Sequence, residues 1–192
     1  MAQPVYPRAA LHSRQRATAW EQRKLGEVAQ HLQYGVGASA VPYDGEIKYL
    51  RITDIDDETH EFLNEDLTSP DPEFCIGDDS YLQKGDIVFA RTGASVGKTY
   101  LNRDDDGGIV YAGFLIRARL SQDADPEFVY QQTLTEPYAK FVEITSQRSG
   151  QPGINAIEYG EWELAWCSWK EQRLIGSFFQ RLDSLITLHQ RE

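Results

Sequence analysis

The residues most suggestive of chemistry lie between Arg91 and Thr99, RTGASVGKT, a glycine-rich run that closes on Gly-Lys-Thr. A phosphate-binding loop needs four residues between its glycines, so that successive N–H groups can wrap a β-phosphate, and it must open a helix. Gly93 and Gly97 enclose only Ala94, Ser95 and Val96, and Lys98 runs on into the β-like string TYLNR. Spacing and context both argue against ATP. The run reads instead as a tight connection between two strands, with glycine supplying positive φ.

Other reactive patterns fare no better. Glu46-Ile47-Lys48 with Asp44 could hold Mg²⁺ and orient water in an autonomous Mg²⁺-dependent nuclease. Asp44 is too near Glu46 to form the usual separated pair, and GEIK is equally an ordinary turn into a strand. An adenine methyltransferase would carry D/N-P-P-Y/F; the nearest strings, Asp71-Pro72-Glu73-Phe74 and Asp125-Pro126-Glu127-Phe128, have Glu where proline is required. His12, His31, His60 and His189 show no ligand or triad spacing, and Cys75 and Cys167 lie far apart without a second ligand pair. No catalytic residue, metal site or cofactor site is assigned. The two cysteines read as free thiols of a cytoplasmic protein.

Net charge is −11, which at first argues against nucleic acid, but the charge is unevenly placed. Residues 54–79 carry eleven acidic side chains and no Lys or Arg, and elsewhere nineteen basic residues balance nineteen acidic ones. The acidic block is expected to be a solvated surface, or one that faces a basic protein partner and stays clear of DNA. With so little excess positive charge, the isolated chain is expected to bind DNA weakly, because phosphate neutralisation supplies much of the affinity. No run of eighteen apolar residues exists to span a membrane, and MAQPVYPRAALHSRQRATA lacks the apolar centre of a signal peptide.

These residues need elements to position them. Residues 1–19 read as a polar tail, 20–167 as a domain, and 168–192 as a helix. IKYLRITDI (47–55), GDIVFAR (85–91), GKTYLNR (97–103), GIVYAGFLIRARL (108–120) and IEYGEWELAW (157–166) read as strands. Asp125-Pro126-Glu127 is a helix start, and Pro137 is expected to divide or kink that helix. Ser168-Trp169-Lys170-Glu171 fits a capping box. Beyond it, Ile175, Leu182 and His189 alternate with Phe178 and Leu185 in heptad register. The expected fold is α+β: a mixed β-sheet domain followed by a long C-terminal coiled-coil-forming helix.

Several of these segments together resemble one family, the specificity subunits of type I restriction–modification enzymes. AWEQRKLGEV (19–28) looks like the start of a target recognition domain. YLRITDI (49–55), LQKGDIVFARTGASVGKTYL (82–101) and SGQPGIN (149–155) resemble its internal segments, and EQRLIGSFFQRLDSLITLHQRE (171–192) its spacer helix. The resemblance implies a non-catalytic subunit that reads double-stranded DNA. Modification subunits then methylate adenine with S-adenosylmethionine, and restriction (motor) subunits translocate and cut. The family's full-length subunit holds two recognition domains and two spacer helices; this chain has one of each. The resemblance therefore implies a half-subunit, or a fragment of a subunit, reading one half of a bipartite target. It would be completed by a second copy or a second half, through Ile175, Phe178, Leu182 and Leu185 of the helix.

Base reading needs fixed donors and acceptors at loop tips, Arg for guanine and Asn or Gln for adenine. Three places offer them: Lys48 and Arg51; Arg91, Thr92, Ser95 and Lys98; and Gln147, Arg148, Gln151 and Asn155. Arg51 and Arg91 are equally placed to be internal ion-pair partners of the acidic block. A dimerising adaptor without DNA contact is the remaining alternative.

Overall fold

The computed structural model describes residues 20–103, 108–147 and 150–190, the last four of these as backbone only. The expectations for residues 1–19 and for Arg148 fall outside these residues, as does the side chain of His189.

The chain enters through β1 (Glu21–Lys24), a single helical turn α1 (Leu25–Val28) and β2 (Ala29–Tyr34). β3 (Ala40–Pro42), β4 (Lys48–Leu50) and β5 (Thr68–Pro70) come after it. Next are β6 (Ile87–Ala90), β7 (Thr99–Leu101), β8 (Ile109–Tyr111) and β9 (Leu115–Leu120). The helical half contains α2 (Pro126–Gln132), α3 (Glu136–Thr145) and α4 (Ala156–Gly160), then β10 (Glu163–Trp166) and α5 (Trp169–Gln190).

An antiparallel sheet in the order β2-β9-β6-β7 forms the centre. Ile-Val-Phe-Ala of β6 is apolar throughout because both faces are covered. Ile87 and Phe89 join a core with α2, α3 and α4, whereas Val88 and Ala90 turn to a second core with Leu50, Tyr100, Ile109 and Tyr111. In β9 the same period of two sends Ile116 and Ala118 to the first core and leaves Arg117 and Arg119 on the face of the second. β4 pairs in parallel with β8, which makes the strand set mixed, as expected.

Three strand readings change. GIVYAGFLIRARL is not one strand but two, β8 and β9 in different sheets, parted by a turn in which Leu115 N donates to the Ala112 carbonyl at 2.8 Å. IKYLRITDI stops being a strand at Leu50, because Arg51 and Asp54 close a turn: Arg51 N and Nε both donate to Asp54 Oδ2, at 2.9 and 2.8 Å. A 3₁₀ turn, Ile52–Asp54, takes the strand's place. IEYGEWELAW begins as helix α4, because Asn155 caps it. Asn155 Oδ1 accepts from the Glu158 amide at 2.9 Å, and Glu158 Oε2 accepts from the Asn155 amide at 2.7 Å.

α5 starts where its capping box lies, with Ser168 Oγ accepting from the Glu171 amide at 3.4 Å. Its first two turns are fastened to α2. Fully buried Gln172 accepts from the Asp125 amide at 3.0 Å and donates to the Cys167 carbonyl at 2.9 Å. Gly176 allows the approach: a Cβ there would sit 2.5 Å from Asp125 Oδ1.

Candidate nucleic-acid interface

Arg91-Thr92-Gly93 and Gln151-Pro152-Gly153, sixty residues apart in sequence, form one surface. Gly93 N donates to the Pro152 carbonyl at 3.1 Å, Ile154 N donates to the Arg91 carbonyl at 2.9 Å, and Thr92 and Gly153 make an isolated β-bridge. The first loop is the turn between β6 and β7. Gly97 has φ +89°, and its amide donates to the Ala90 carbonyl at 2.9 Å, closing the hairpin. A β-strand, not a helix, continues from Lys98.

Thr92, Gly93 and Gln151 line one wall of a cavity of about 740 Å³. Arg51 lines another, brought there from the end of β4 by the same pleat that points Tyr49 inward. Ala112, Gly113 and Phe114, between β8 and β9, complete the rim. Among the described residues no carboxylate lines this cavity, although the chain carries thirty. Part of the acidic block turns elsewhere: Glu58 and Glu61 line a second cavity of about 660 Å³, together with Glu136 of α3 and Asp183 of α5.

The cations named from sequence divide by what holds them. Arg51 pairs with Asp54 of the acidic block, its Nη2 2.6 Å from Oδ1, which raises the guanidinium pKa and neutralises much of its field. Arg91 has a different neighbour. Its Nη1 donates to the Gly113 carbonyl at 3.2 Å, and its guanidinium lies over the Tyr34 ring, 4.9 Å from the centroid. Lys98 is turned into the domain, donating to the Ile55 carbonyl at 2.9 Å and pairing with Asp57. Lys48 does not line the cavity, nor does Ser95, whose carbonyl accepts from the Lys98 amide at 3.0 Å. Gln147 is exposed and does not line it either. Asn155 is occupied as the α4 cap. The structure thus gathers Arg51, Thr92 and Gln151 around one cavity, with Arg91 behind it, and gives Lys98 and Asn155 structural partners.

Sequence reasoning missed Tyr34 and Phe114. The weak signal was an aromatic beside glycine at a strand end, Tyr34-Gly35 and Gly113-Phe114. It also missed a buried polar cluster beneath the sheet. Arg117 Nη1 donates to the Asp79 carbonyl at 2.8 Å, and Nη2 lies 2.8 Å from His31 Nε2. Asp86 takes a two-pronged contact from Arg119, at 2.9 and 2.7 Å. Burial pushes the nearby Tyr111 phenol up to about 12. The strand pattern LIRARL was the available clue, since a double-faced core strand has no solvent into which to place its arginines.

On α5, Ile175 packs against the core of its own domain, whereas Phe178, Leu182 and Leu185 are exposed together with Leu174, Phe179 and Ile186. The rings of Phe178 and Phe179 meet edge to face at 5.4 Å. The stripe runs alongside the α2 contact, which reaches as far as Asp183, whose Oδ2 accepts from Gln131 Nε2 at 3.0 Å.

Comparison with solved structures decides the fold. The HsdS subunit from Thermoanaerobacter tengcongensis superposes with a TM-score of 0.64 over 90% of this chain, at 16% identity. The fold is that of HsdS. The type I restriction–modification S subunit from M. genitalium matches with a TM-score of 0.60 over 93% of the chain, at 18% identity. A chain from a type I R-M system, solved for its complex assembly and conformational transition, matches with a TM-score of 0.62 over 97%, at 14% identity. In each case this chain spans only 43–44% of the neighbour's length, so it corresponds to less than half of an HsdS chain. No family model matches the sequence, and no curated protein does. Among the described residues no helix is long and apolar enough to cross a membrane.

Proposed function

We propose that this chain is a DNA-recognition component of a type I restriction–modification system, reading one half of a bipartite target. The observation that carries the reading is a cavity on an HsdS fold, lined by no carboxylate among the described residues, where Arg51, Thr92 and Gln151 converge from three separate segments. Those side chains supply the donors and acceptors that base edges require, and two hydrogen-bonded loops hold two of them in place. Glu58 and Glu61 of the acidic block face the other cavity, and its Asp54 is paired with Arg51. On this reading the chain leaves catalysis to its partner subunits. Asp44, the one carboxylate weighed for a nuclease together with Glu46, is used by a turn: its Oδ1 accepts from the Glu46 and Ile47 amides at 2.7 and 3.0 Å.

α5 completes the reading. Its 22 residues span about 33 Å at 1.5 Å per residue, close to one turn of DNA. Paired antiparallel with a second copy through Phe178, Leu182 and Leu185, it sets two identical reading heads on inverted half-sites. Ile175 supports its own domain rather than the partner. The assembled pair presents DNA to the modification subunits, and through them to the restriction subunits, in the cytoplasm.

The test is selection of duplexes from a random pool by the chain assembled with modification subunits, because the isolated chain is expected to bind weakly, followed by anisotropy titration at several salt concentrations. Enrichment of an interrupted inverted repeat is expected, with affinity lost by Thr92→Ala and Gln151→Ala. A pool that stays random after repeated rounds would remove the reading.

A further inference from the structure

Phe114 is 62% exposed, yet the backbone that carries it is hydrogen-bonded on both sides. Ala112 N donates to the Leu50 carbonyl at 2.9 Å, Gly113 N to the Val36 carbonyl at 2.7 Å, and Leu115 N to the Ala112 carbonyl at 2.8 Å. The Phe114 carbonyl itself accepts from the Arg91 amide at 3.0 Å, and the Arg91 guanidinium closes on the neighbouring Gly113 carbonyl. A phenyl ring at a loose loop tip signifies nothing, since single exposed apolar side chains are normal. A phenyl ring fixed outward by five hydrogen bonds, on a tip whose other residues are Gly and Ala, is a presented group. It makes no ring contact with another aromatic among the described residues.

Its surroundings say what it is presented to. The ring stands on the rim of the cavity that Arg51, Thr92 and Gln151 line, so whatever those side chains meet, Phe114 meets too. Apolar side chains at DNA surfaces act in one recurrent way, lying against or entering between the faces of bases, which every base offers irrespective of sequence. We propose that Phe114 stacks on a DNA base at the rim of this cavity, locally unstacking one base step while the polar side chains read edges beside it. The inference rests on the DNA-reading function above and adds a contact that base-edge hydrogen bonding does not require. Arg91 has a matching role, since its main chain and its guanidinium both set the angle of this tip.

The experiment uses the full chain assembled with modification subunits and the duplex enriched from a random pool. Each thymine of that duplex is replaced in turn by 5-iodouracil, which on irradiation joins to an aromatic ring stacked on it, and adducts are mapped by peptide mass spectrometry. One position should yield an adduct on Phe114. Phe114→Ala should abolish that adduct and weaken binding by roughly 5- to 100-fold, while Phe114→Trp should keep affinity within a few-fold. Adducts that map only to other aromatics such as Tyr34, with Phe114→Ala binding as tightly as wild type, would overturn the inference and leave the DNA-reading function standing. If no duplex is enriched at all, both fall. Thermal melting of the two variants separates a lost contact from a lost fold.

Discussion

Gly93 donates its main-chain N–H to the carbonyl of Pro152 at 3.1 Å, and this contact turns two separate loops into one surface. It is also what makes the arrangement testable, because side chains on either loop should act together. Thr92→Ala and Gln151→Ala each remove a donor or acceptor from the same cavity wall. Each should cost about 1–3 kcal/mol of discrimination at one base pair if it touches a base. The double variant should depart from the sum of the two, because neighbouring side chains couple. Anisotropy titration of the four proteins against the selected duplex and its single-base variants checks this.

Lys98 and Arg91 should behave differently although they share a turn. Lys98 spends its charge on the Ile55 carbonyl and Asp57, so Lys98→Ala should cost about 1.5–3 kcal/mol of stability, read by urea unfolding, with the DNA salt slope unchanged. Arg91→Ala should weaken DNA binding with the smaller effect on unfolding. A salt slope reduced by about one in Lys98→Ala would instead place its ammonium on a phosphate.

Asp86 holds a buried arginine cluster together. Asp86→Ala should destabilise the domain by about 3–5 kcal/mol, because Arg117, fully buried, keeps its charge and loses its nearest carboxylate. Denaturant midpoints at constant slope give the value.

The two thiols should react unequally. Cys167 is buried, and burial together with the Glu171 carboxylate pushes its thiol up to about 11, whereas Cys75 is exposed. The thiolate is the reactive form, and a raised pKa leaves little of it at neutral pH. Native protein at roughly neutral pH should therefore consume one equivalent of a disulfide reagent quickly, at Cys75, and the second only on unfolding. The rate at Cys167 should climb as pH rises towards about 11.

α5 carries the assembly prediction. Burying each of Phe178, Leu182 and Leu185 is worth about 1.5–3 kcal/mol, so Phe178→Asp or Leu185→Asp should give monomers by sedimentation. Ile175→Asp should instead lower the melting temperature, since that side chain packs on its own domain. Gly176→Ala belongs with it: the added Cβ meets Asp125 Oδ1, which caps α2, at a cost of about 1–3 kcal/mol.

Much of this was legible in the sequence because local rules governed it. β6, β7 and the turn between them came from β-branched runs around two glycines, and α2 and α5 from an Asp-Pro start and a capping box. Where local signals competed, the reading failed. Asn155-x-x-Glu158 is a capping box across the start of a run that looked like strand, and Arg51 is bound by Asp54 three residues on, which ends β4 early. The site was legible in part. Residue types named Arg51, Thr92 and Gln151, but only the parallel pairing of β4 with β8 and the bond between the two loops bring them together. Phe114 could not be singled out from sequence, because its exposure depends on backbone contacts from Val36 and Arg91, far away along the chain. Ile175 fitted the heptad and still faced inward, because Gly176 and Gln172 fix which side of α5 docks on α2.

The most direct test of DNA reading by this chain is a genome-wide map of adenine methylation in otherwise identical cells that carry or lack it. The account predicts a methylated motif of two inverted half-sites that disappears with the chain, and whose half-sites change at one base pair in Thr92→Ala or Gln151→Ala. Methylation that is the same in both cells, or a motif that these substitutions leave untouched, would contradict it.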